Sequence, residues 1–175
     1  MDYFNQESDR LIYRQLTEDD IPSWIEFFIN NDKLKYLGMD LQKSKEVLAK
    51  EWINAQLNRY KKQGLGHLAI VLKESNEFIG MGGILPRELN GIKEYEIAYS
   101  LKPKFWGFGY ATEIAKTMKK YGFKNIETNR FVSIIDVNNT DSAKVAQKNN
   151  MNILFNTNYL GMEVDVYGIN RSTTY

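Results

Sequence analysis

The sequence predicts one α+β domain, spanning residues 1–175, with a mixed but mostly antiparallel sheet, one parallel βαβ crossover and about four helices. Three observations support this fold class. Short turn-like links join the strands in the middle of the chain, which implies antiparallel pairing. A strand, a helix and a second strand follow between residues 94 and 137, the pattern of a right-handed crossover. The 175 residues, 43% of them hydrophobic, suffice for one substantial core and are few for two.

The first half of the chain predicts one strand, two helices and three further strands. Apolar and polar residues alternate over residues 11–16, which predicts a strand. Residues 17–29 begin with helix-capping residues and carry apolar residues at helical spacing, which predicts a helix. Residues 30–43 show neither helical nor strand periodicity. A second helix begins at Ser44 and stops at Gly64. Strands follow at residues 67–73, 78–85 and about 94–101, separated by turn-like residues 74–77 and 86–91. Glycines 80, 82 and 83 indicate a bulge or a close approach to the backbone.

The second half predicts a β-rich crossover strand, a short helix and a hairpin. Residues 130–137 are rich in β-branched side chains, and residues 138–142 supply caps for a helix through Lys148. Residues 151–155 and 162–169 predict a β-hairpin, and residues 170–175 are expected to fray.

A glycine-bearing turn that opens into an amphipathic helix, at residues 103–123, organises the chain. Gly107 and Gly109 permit a positive φ, and the first N–H groups of the helix have no intrahelical partner. With the helix dipole these donors predict a phosphate cradle, and Gly122 is expected to cap the helix C-terminus. A tight turn that needs glycine for geometry alone is the open alternative.

Two familiar phosphate motifs do not fit this turn. A Walker loop needs Gly-Lys-Ser/Thr, and Gly109 is followed by Tyr110. A dinucleotide fingerprint needs Gly or Ala where Thr112 stands, in the first βαβ unit of a repeating chain.

Composition excludes several functional classes. Lys and Arg number 23 against 22 Asp and Glu, so no global field attracts nucleic acid or an anionic membrane. The chain has no Cys and one His, so disulfides, a protein thioester and a zinc site are not expected. His67 is assigned a structural role at a strand start. The N-terminus has no signal-peptide pattern and no long apolar run is present, so a cytoplasmic protein is predicted.

Several ordered segments resemble the GCN5-related N-acetyltransferases, and within them the branch of bacterial ribosomal-protein N-terminal acetyltransferases. Residues 104–109, Lys-Phe-Trp-Gly-Phe-Gly, are similar to the family's Arg/Gln-x-x-Gly-x-Gly/Ala and continue as Tyr-Ala-Thr-Glu, as in that branch. Residues 96–99 are similar to Glu-Ile-Gly-Tyr, and residues 139–151 to Asn-x-x-Ser followed by Lys-x-Gly-Met/Phe. Lys104 departs from the signature, and Ala146 replaces a tyrosine that protonates the leaving thiolate in many relatives.

The resemblance implies acetyl-CoA as cosubstrate, with its pyrophosphate on the loop and its pantetheine arm between the strands that flank the helix. The amine of a second substrate would attack the thioester directly, without metal or protein nucleophile. The implied cofactor-binding residues are Tyr99, Leu101, Lys104, Trp106, Gly107, Phe108, Gly109, Tyr110, Ala111, Thr112, Asn139 and Ser142.

Glu96 and Ser142 are the predicted catalytic residues. Glu96 shares a strand face with Glu94, so mutual repulsion would raise one pKa and suit Glu96 to accept the amine's proton. A solvated or cation-binding pair of glutamates is the alternative. Ser142 holds the family position near the CoA sulfur and is the predicted acid. The expected partner is a primary amine, either a protein N-terminus or a small molecule, and a homodimer is possible.

Two other functions compete with catalysis. A non-catalytic acyl-CoA-binding or regulatory module would keep the same fold. A generic nucleotide-phosphate enzyme is disfavoured because no metal-binding carboxylate motif accompanies the glycines.

Overall fold

The computed structural model describes residues 2–171, which form one eight-stranded sheet and four α-helices. The strands are β1 (Asn5–Glu7), β2 (Leu11–Arg14), β3 (Gly66–Leu72), β4 (Phe78–Leu89), β5 (Ile92–Leu101), β6 (Arg130–Asp136), β7 (Asn152–Tyr159) and β8 (Met162–Asn170). The helices are α1 (Ile21–Trp24), α2 (Lys45–Gln63), α3 (Tyr110–Asn125) and α4 (Thr140–Lys148). Strand order is β1-β2-β3-β4-β5-β6-β8-β7, with β5 and β6 parallel and every other pair antiparallel. The predicted α+β class is confirmed.

The predicted helix caps of α2 and α4 are present. Ser44 Oγ accepts a hydrogen bond from the Val47 amide at 3.3 Å, and α2 ends at Gly64 with φ +66°. Asn139 Oδ1 accepts from the Ser142 amide at 3.2 Å and begins α4. The first predicted helix is shorter than expected, because only α1 is α-helical and 3₁₀ turns cover residues 18–20 and 25–28.

The turn predicted at residues 86–91 is wrong. β4 continues to Leu89, and a two-residue turn of Asn90 and Gly91, with φ +51° and +75°, leads into β5. Asn-Gly is a strong hairpin signal that a proline nearby obscured. Pro86 is tolerated because β3 begins opposite Ile84, so β4 has no β3 neighbour to bond there. Arg87 is therefore a strand residue.

The predicted C-terminal cap at Gly122 is also wrong. α3 continues to Asn125, and Gly122 is buried inside it. A Cβ on Gly122 would lie 2.3 Å from the Phe131 ring, and one on Gly82 would lie 2.5 Å from Ile114. These glycines let α3 pack closely on the sheet, which confirms the close approach predicted for the β4 glycines.

Helices cover both faces of the sheet. α3 packs on one face, where Ile114, Ala115 and Met118 join the main core. The other face holds a second core in which α1 and α2 pack around Trp24 and Ile53. No helix within residues 2–171 is long and apolar enough to cross a membrane.

The parallel strands β5 and β6 separate to leave a wedge. Across residues 2–171 their one pair of ladder partners is Glu96 with Val132, although β5 runs on to Leu101. Ser133 Oγ donates to the Ile97 carbonyl at 2.8 Å where the strands part. The end of β5 therefore lacks a ladder partner on β6, and the chain then turns into α3.

Candidate active site

Six consecutive backbone amides, those of residues 107–112, donate to no acceptor within the described part of the chain. They run from just after the 3₁₀ turn at Pro103–Phe105 into the first turn of α3. The Trp106 amide before them bonds the Pro103 carbonyl at 3.1 Å, and the Glu113 amide after them bonds the Gly109 carbonyl at 3.1 Å. Gly107 and Gly109 have φ of +85° and +80°. Unused amides at the positive end of a helix dipole bind anions, so residues 107–112 form an anion cradle.

Arg10, the residue directly before β2, holds the cradle in place. Its Nη1 donates to the Phe108 carbonyl at 2.9 Å, and its Nε donates to Glu113 Oε2 at 2.7 Å. Glu113 Oε1 also accepts from Ser8 Oγ at 2.7 Å. Partial burial raises the pKa of Glu113, but the hydrogen bonds from Ser8 and Arg10 outweigh it and lower that pKa overall. Glu113 thus keeps its charge and anchors the loop.

A cavity of about 350 Å³ extends from the cradle to the end of β5 and to α4. Ten of the twelve predicted cofactor residues line it: Tyr99, Leu101, Trp106, Gly107, Gly109, Tyr110, Ala111, Thr112, Asn139 and Ser142. We call this space the cofactor cavity. It also takes walls that the sequence did not reveal, from Phe27, Asn31, Lys33 and Leu37 on one side and from Lys144, Val145 and Lys148 of α4 on the other.

The side chains of the two remaining predicted cofactor residues lie outside this cavity. Lys104 Nζ bonds Glu77 Oε1 at 2.6 Å on the surface. Phe108 is 59% exposed and stacks on Tyr110, with ring centroids 5.8 Å apart. Phe108 contributes its amide to the cradle and not its ring.

A second, smaller cavity of about 160 Å³ adjoins the first, and we call it the acceptor cavity. Both are lined by Leu37, Tyr99, Ser100, Asn139 and Ser142, so they meet where β5 faces the start of α4. The Tyr99 hydroxyl donates to the Ser142 carbonyl at 3.2 Å. Burial raises the pKa of Tyr99, so its hydroxyl keeps its proton at this junction.

Glu96 lines the acceptor cavity and forms a buried ion pair. It is 7% exposed, and its Oε2 accepts from Arg87 Nε at 2.7 Å. Glu94 is 4% exposed and binds Arg130 through Nε and Nη2. The prediction that Glu94 and Glu96 repel each other is therefore wrong. Each carboxylate forms an ion pair with its own guanidinium, Glu94 with Arg130 and Glu96 with Arg87. The solvated-face alternative is wrong, since both side chains are buried.

His67 also lines the acceptor cavity, a position that its predicted structural role did not include. Its Nδ1 accepts from Trp52 Nε1 at 3.3 Å, which is a structural contact. Its Nε2 is buried and has no hydrogen-bond partner in residues 2–171. Burial, and to a smaller extent the charges of Arg87 and Arg59, lower the pKa of His67 to about 3, so the ring is neutral.

The residues that sequence reasoning missed come from segments without a motif. Lys33 lies in the patternless segment, yet its Nζ pairs with Asp141 and stands 4.1 Å from the centre of the Trp106 ring. Arg87 was hidden by the wrong turn assignment. The Asn-Gly turn signal could have revealed Arg87, whereas nothing in the sequence marks Lys33. No group of three or more Asp, Glu or His within residues 2–171 is arranged to hold a metal ion.

Comparison with known proteins supports the family resemblance. Residues 10–152 match the family model described as acetyltransferase (GNAT) domain. Uncharacterized protein YkkB of Bacillus subtilis is 27% identical over 141 residues, which cover 81% of each chain. The uncharacterized N-acetyltransferase YoaA of the same organism is 27% identical over 142 residues, covering 81% of this chain and 79% of YoaA.

Solved structures share the fold over nearly the whole chain. The acetyltransferase from Agrobacterium tumefaciens has a TM-score of 0.78 at 25% identity, covering 95% of this chain and 94% of that one. RimL, a ribosomal L7/L12 alpha-N-protein acetyltransferase solved in complex with coenzyme A, has a TM-score of 0.73 at 20% identity, covering 93% and 95%. With the family model matched over residues 10–152, the chain belongs to the GNAT family of N-acetyltransferases.

Proposed function

We propose that this protein transfers the acetyl group of acetyl-CoA directly to a primary amine within a ternary complex. The observation that carries the proposal is the row of six unused amides at residues 107–112, which opens into a cavity that meets a second one at Tyr99 and Ser142. The first cavity suits the cosubstrate and the second suits the acceptor. The structure of RimL with coenzyme A supports the choice of cosubstrate.

The cradle residues fit the pyrophosphate of CoA. A Cβ on Gly107 would meet nothing within 4 Å, so the loop leaves open space above its amides. From Ala98 to Leu101, β5 pairs with β4 on one side, and its other edge, which faces β6, offers backbone groups to an extended amide-bearing chain such as pantetheine. Asn139 and Ser142 border the same path from α4.

In the reaction, the amine nitrogen attacks the acetyl carbonyl carbon, the carbon–sulfur bond breaks, and an amide and the CoA thiol form. The incoming ammonium must first lose a proton. Glu96 is the proposed proton acceptor, because its carboxylate lines the acceptor cavity and the hydrogen bond from Arg87 Nε to Oε2 holds that carboxylate in place. The chain has no cysteine to carry the acetyl group, so both substrates must be bound together.

The leaving sulfur needs a proton at the junction of the cavities. Ser142 is the proposed donor, and the Tyr99 hydroxyl is a second protonated group at the same place. Ala146, where many relatives carry the acid tyrosine, is 1% exposed and lines neither cavity. A hydroxyl from β5 or from the start of α4 is therefore the proposed replacement.

The proposed acceptor is a primary amine, that of a protein N-terminus or of a small molecule. The name of RimL describes an enzyme acting on ribosomal L7/L12 N-termini, which supports the first class for that protein. The predicted cytoplasmic location and homodimer stay predictions.

The test is release of CoA thiol from acetyl-CoA by the purified protein, measured over a library of amines. Initial-rate plots against both substrates should intersect, since a ternary complex precedes chemistry. Parallel lines, or an acetylated protein formed without amine, would rule out direct transfer. Binding of acetyl-CoA with no release for any amine would favour the non-catalytic module.

A further inference from the structure

Two residues that line the acceptor cavity, His67 and Arg87, carry hydrogen-bond donors that the described part of the chain leaves unused. His67 is 5% exposed, and its Nε2 has no partner among the described residues. Since Nδ1 accepts from Trp52, the neutral ring carries its proton on Nε2. A buried donor without a partner destabilises a protein, so a ligand oxygen at Nε2 would remove that penalty.

Arg87 adds two more unused nitrogens to the lining of this cavity. Its Nε is occupied by Glu96, but neither Nη1 nor Nη2 makes a hydrogen bond to any residue that the structure describes. The side chain is 27% exposed and lines the same cavity as His67. The planar guanidinium fork matches a carboxylate in two parallel hydrogen bonds, a geometry that a lone carbonyl oxygen does not use fully.

The charges around His67 also favour an anion. Arg59 Nη1 donates to Gln56 Oε1, and the same oxygen accepts from the His67 amide. Arg59 and Arg87 therefore both lie near His67, while Glu96 supplies one negative charge to the group. Asp136, the other carboxylate of the cavity lining, accepts from the Asn138 amide at 2.9 Å in its own turn.

We propose that the acceptor is an amine that also carries a carboxylate, that is, a free amino acid. Its carboxylate binds between His67 Nε2 and the Nη groups of Arg87, and its amine lies toward Glu96 and the junction with the cofactor cavity. This inference rests on the proposed function, which identifies the second cavity as the acceptor site. The neutral His67 ring donates without adding charge, so Arg87 supplies the ionic partner.

The size and charge of the cavity separate this class from the other amines. The volume of the acceptor cavity, about 160 Å³, is less than half that of the cofactor cavity at about 350 Å³, which suits one small molecule. A polyamine would bring a second cation toward Arg87 and Arg59, which repel it. A polypeptide N-terminus would present a neutral carbonyl where the site offers a guanidinium fork.

Binding can be measured without turnover by calorimetric titration of the protein saturated with CoA. The probes are alanine, leucine, methionine and glutamate, each with its carboxamide and its decarboxylated amine. We expect at least one amino acid to bind tenfold or more tightly than both of its matched derivatives.

Variants test the assigned groups. Arg87→Gln should reduce the affinity for that amino acid at least tenfold and should abolish the preference over the carboxamide. Arg130→Gln is the matched control, because it breaks the other buried Arg–Glu pair of the sheet and lines neither cavity. It should leave amino-acid affinity unchanged. His67→Phe should cause a similar loss of amino-acid affinity, with CoA titration confirming that the variant is folded.

Three results would overturn the inference: no amino acid binds, the carboxamide or amine binds equally well, or the preference survives in Arg87→Gln. Acetyl transfer is measured separately. Amino-acid binding without transfer would overturn the proposed function and the identification of the bound amino acid as the acceptor, whereas the carboxylate site at His67 and Arg87 would stand. Transfer to simple amines as fast as to amino acids would support the proposed function and overturn this inference.

Discussion

The cofactor cavity and the acceptor cavity share a wall but are built differently. The cofactor cavity centres on six backbone amides contributed by one continuous segment, residues 107–112. The acceptor cavity depends on side chains from four separate elements, with Trp52 on α2, His67 on β3, Arg87 on β4 and Glu96 on β5. A backbone site depends on local conformation, whereas a side-chain site depends on how distant strands and helices pack.

This difference explains which substitutions each cavity tolerates. Lys104 replaces the usual first residue of the loop signature, and its side chain points to Glu77 on the surface, leaving the amides in place. In the acceptor cavity, two pairs of side chains bond each other, Trp52 with His67 and Arg87 with Glu96. We therefore expect side-chain changes to act strongly on the acceptor side and backbone changes to act strongly on the cofactor side.

The largest expected effect is that of Glu96→Gln on turnover. Glutamine can still accept the hydrogen bond from Arg87, but it cannot take a proton, so kcat at neutral pH should fall by about 100- to 1000-fold. Part of the rate should return as pH rises, because more amine arrives deprotonated. Steady-state kinetics across pH measure this.

Glu94→Gln is the matched control. Like Glu96, Glu94 is buried and paired with an arginine, here Arg130, but it lines neither cavity. An unchanged kcat with a raised KM for the amine in Glu96→Gln would show recognition without proton transfer.

The next effect breaks the backbone site. Gly107→Val introduces a branched side chain at φ +85°, so the loop must move and displace at least one cradle amide. Hydrogen bonds to charged groups contribute about 1.5–3 kcal/mol, so CoA affinity should fall by about 50-fold in calorimetric titration.

Gly91→Val is the control for strain, because Gly91 has φ +75°, meets nothing within 4 Å and lies in the β4–β5 turn. It should lower stability without changing CoA affinity. If Gly107→Val bound CoA as tightly as the wild-type protein does, residues 107–112 would not be the pyrophosphate site.

The third prediction concerns the charge state of His67. Its pKa is lowered to about 3 in the folded protein, so below pH 6.5 the unfolded chain binds more protons at this site than the folded chain does. The stability from this group is complete above pH 6.5 and is lost as pH falls from 6.5 toward 3.

In that window the folding equilibrium constant should change by about tenfold per pH unit through His67 alone. Urea unfolding of the wild type and of His67→Gln, measured between pH 7 and 4, should therefore give curves that converge as pH falls. Parallel curves would mean that the His67 ring charges freely in the folded state.

The smallest effect is expected at the junction of the cavities. A thiol with a pKa near 8.5 leaves easily at neutral pH, so loss of a proton donor should lower kcat by only about three- to fivefold. Ser142→Ala should show this loss if Ser142 is the donor, and Tyr99→Phe should show it if the tyrosine is. Solvent protonation of the thiolate would leave both variants at the wild-type kcat.

The local features of the fold were predictable because they depend on neighbours in sequence. Ser44, Gly64 and Asn139 mark helix ends through contacts within a few residues. Gly122 was wrongly predicted to end α3, because the need for glycine there comes from the Phe131 ring on β6. Nothing in the sequence around Gly122 indicates that contact. Lys33 was missed for the same reason, since its partners Trp106 and Asp141 are distant in the chain.

The sequence by itself predicted the α+β class, the glycine turn at residues 107–112 and the lack of a cysteine that could carry the acetyl group. These predictions rest on the alternation of apolar residues, on the placement of glycines and on composition, none of which depends on contacts between distant residues. Only the tertiary structure decided that Glu94 and Glu96 each pair with an arginine and that His67 shares a cavity with Arg87. Strand register sets those neighbours, and register follows from packing across the whole sheet. Most residues that line the cofactor cavity were therefore predictable from the sequence, whereas in the acceptor cavity the sequence predicted Glu96 and Ser142 but not their neighbours His67 and Arg87.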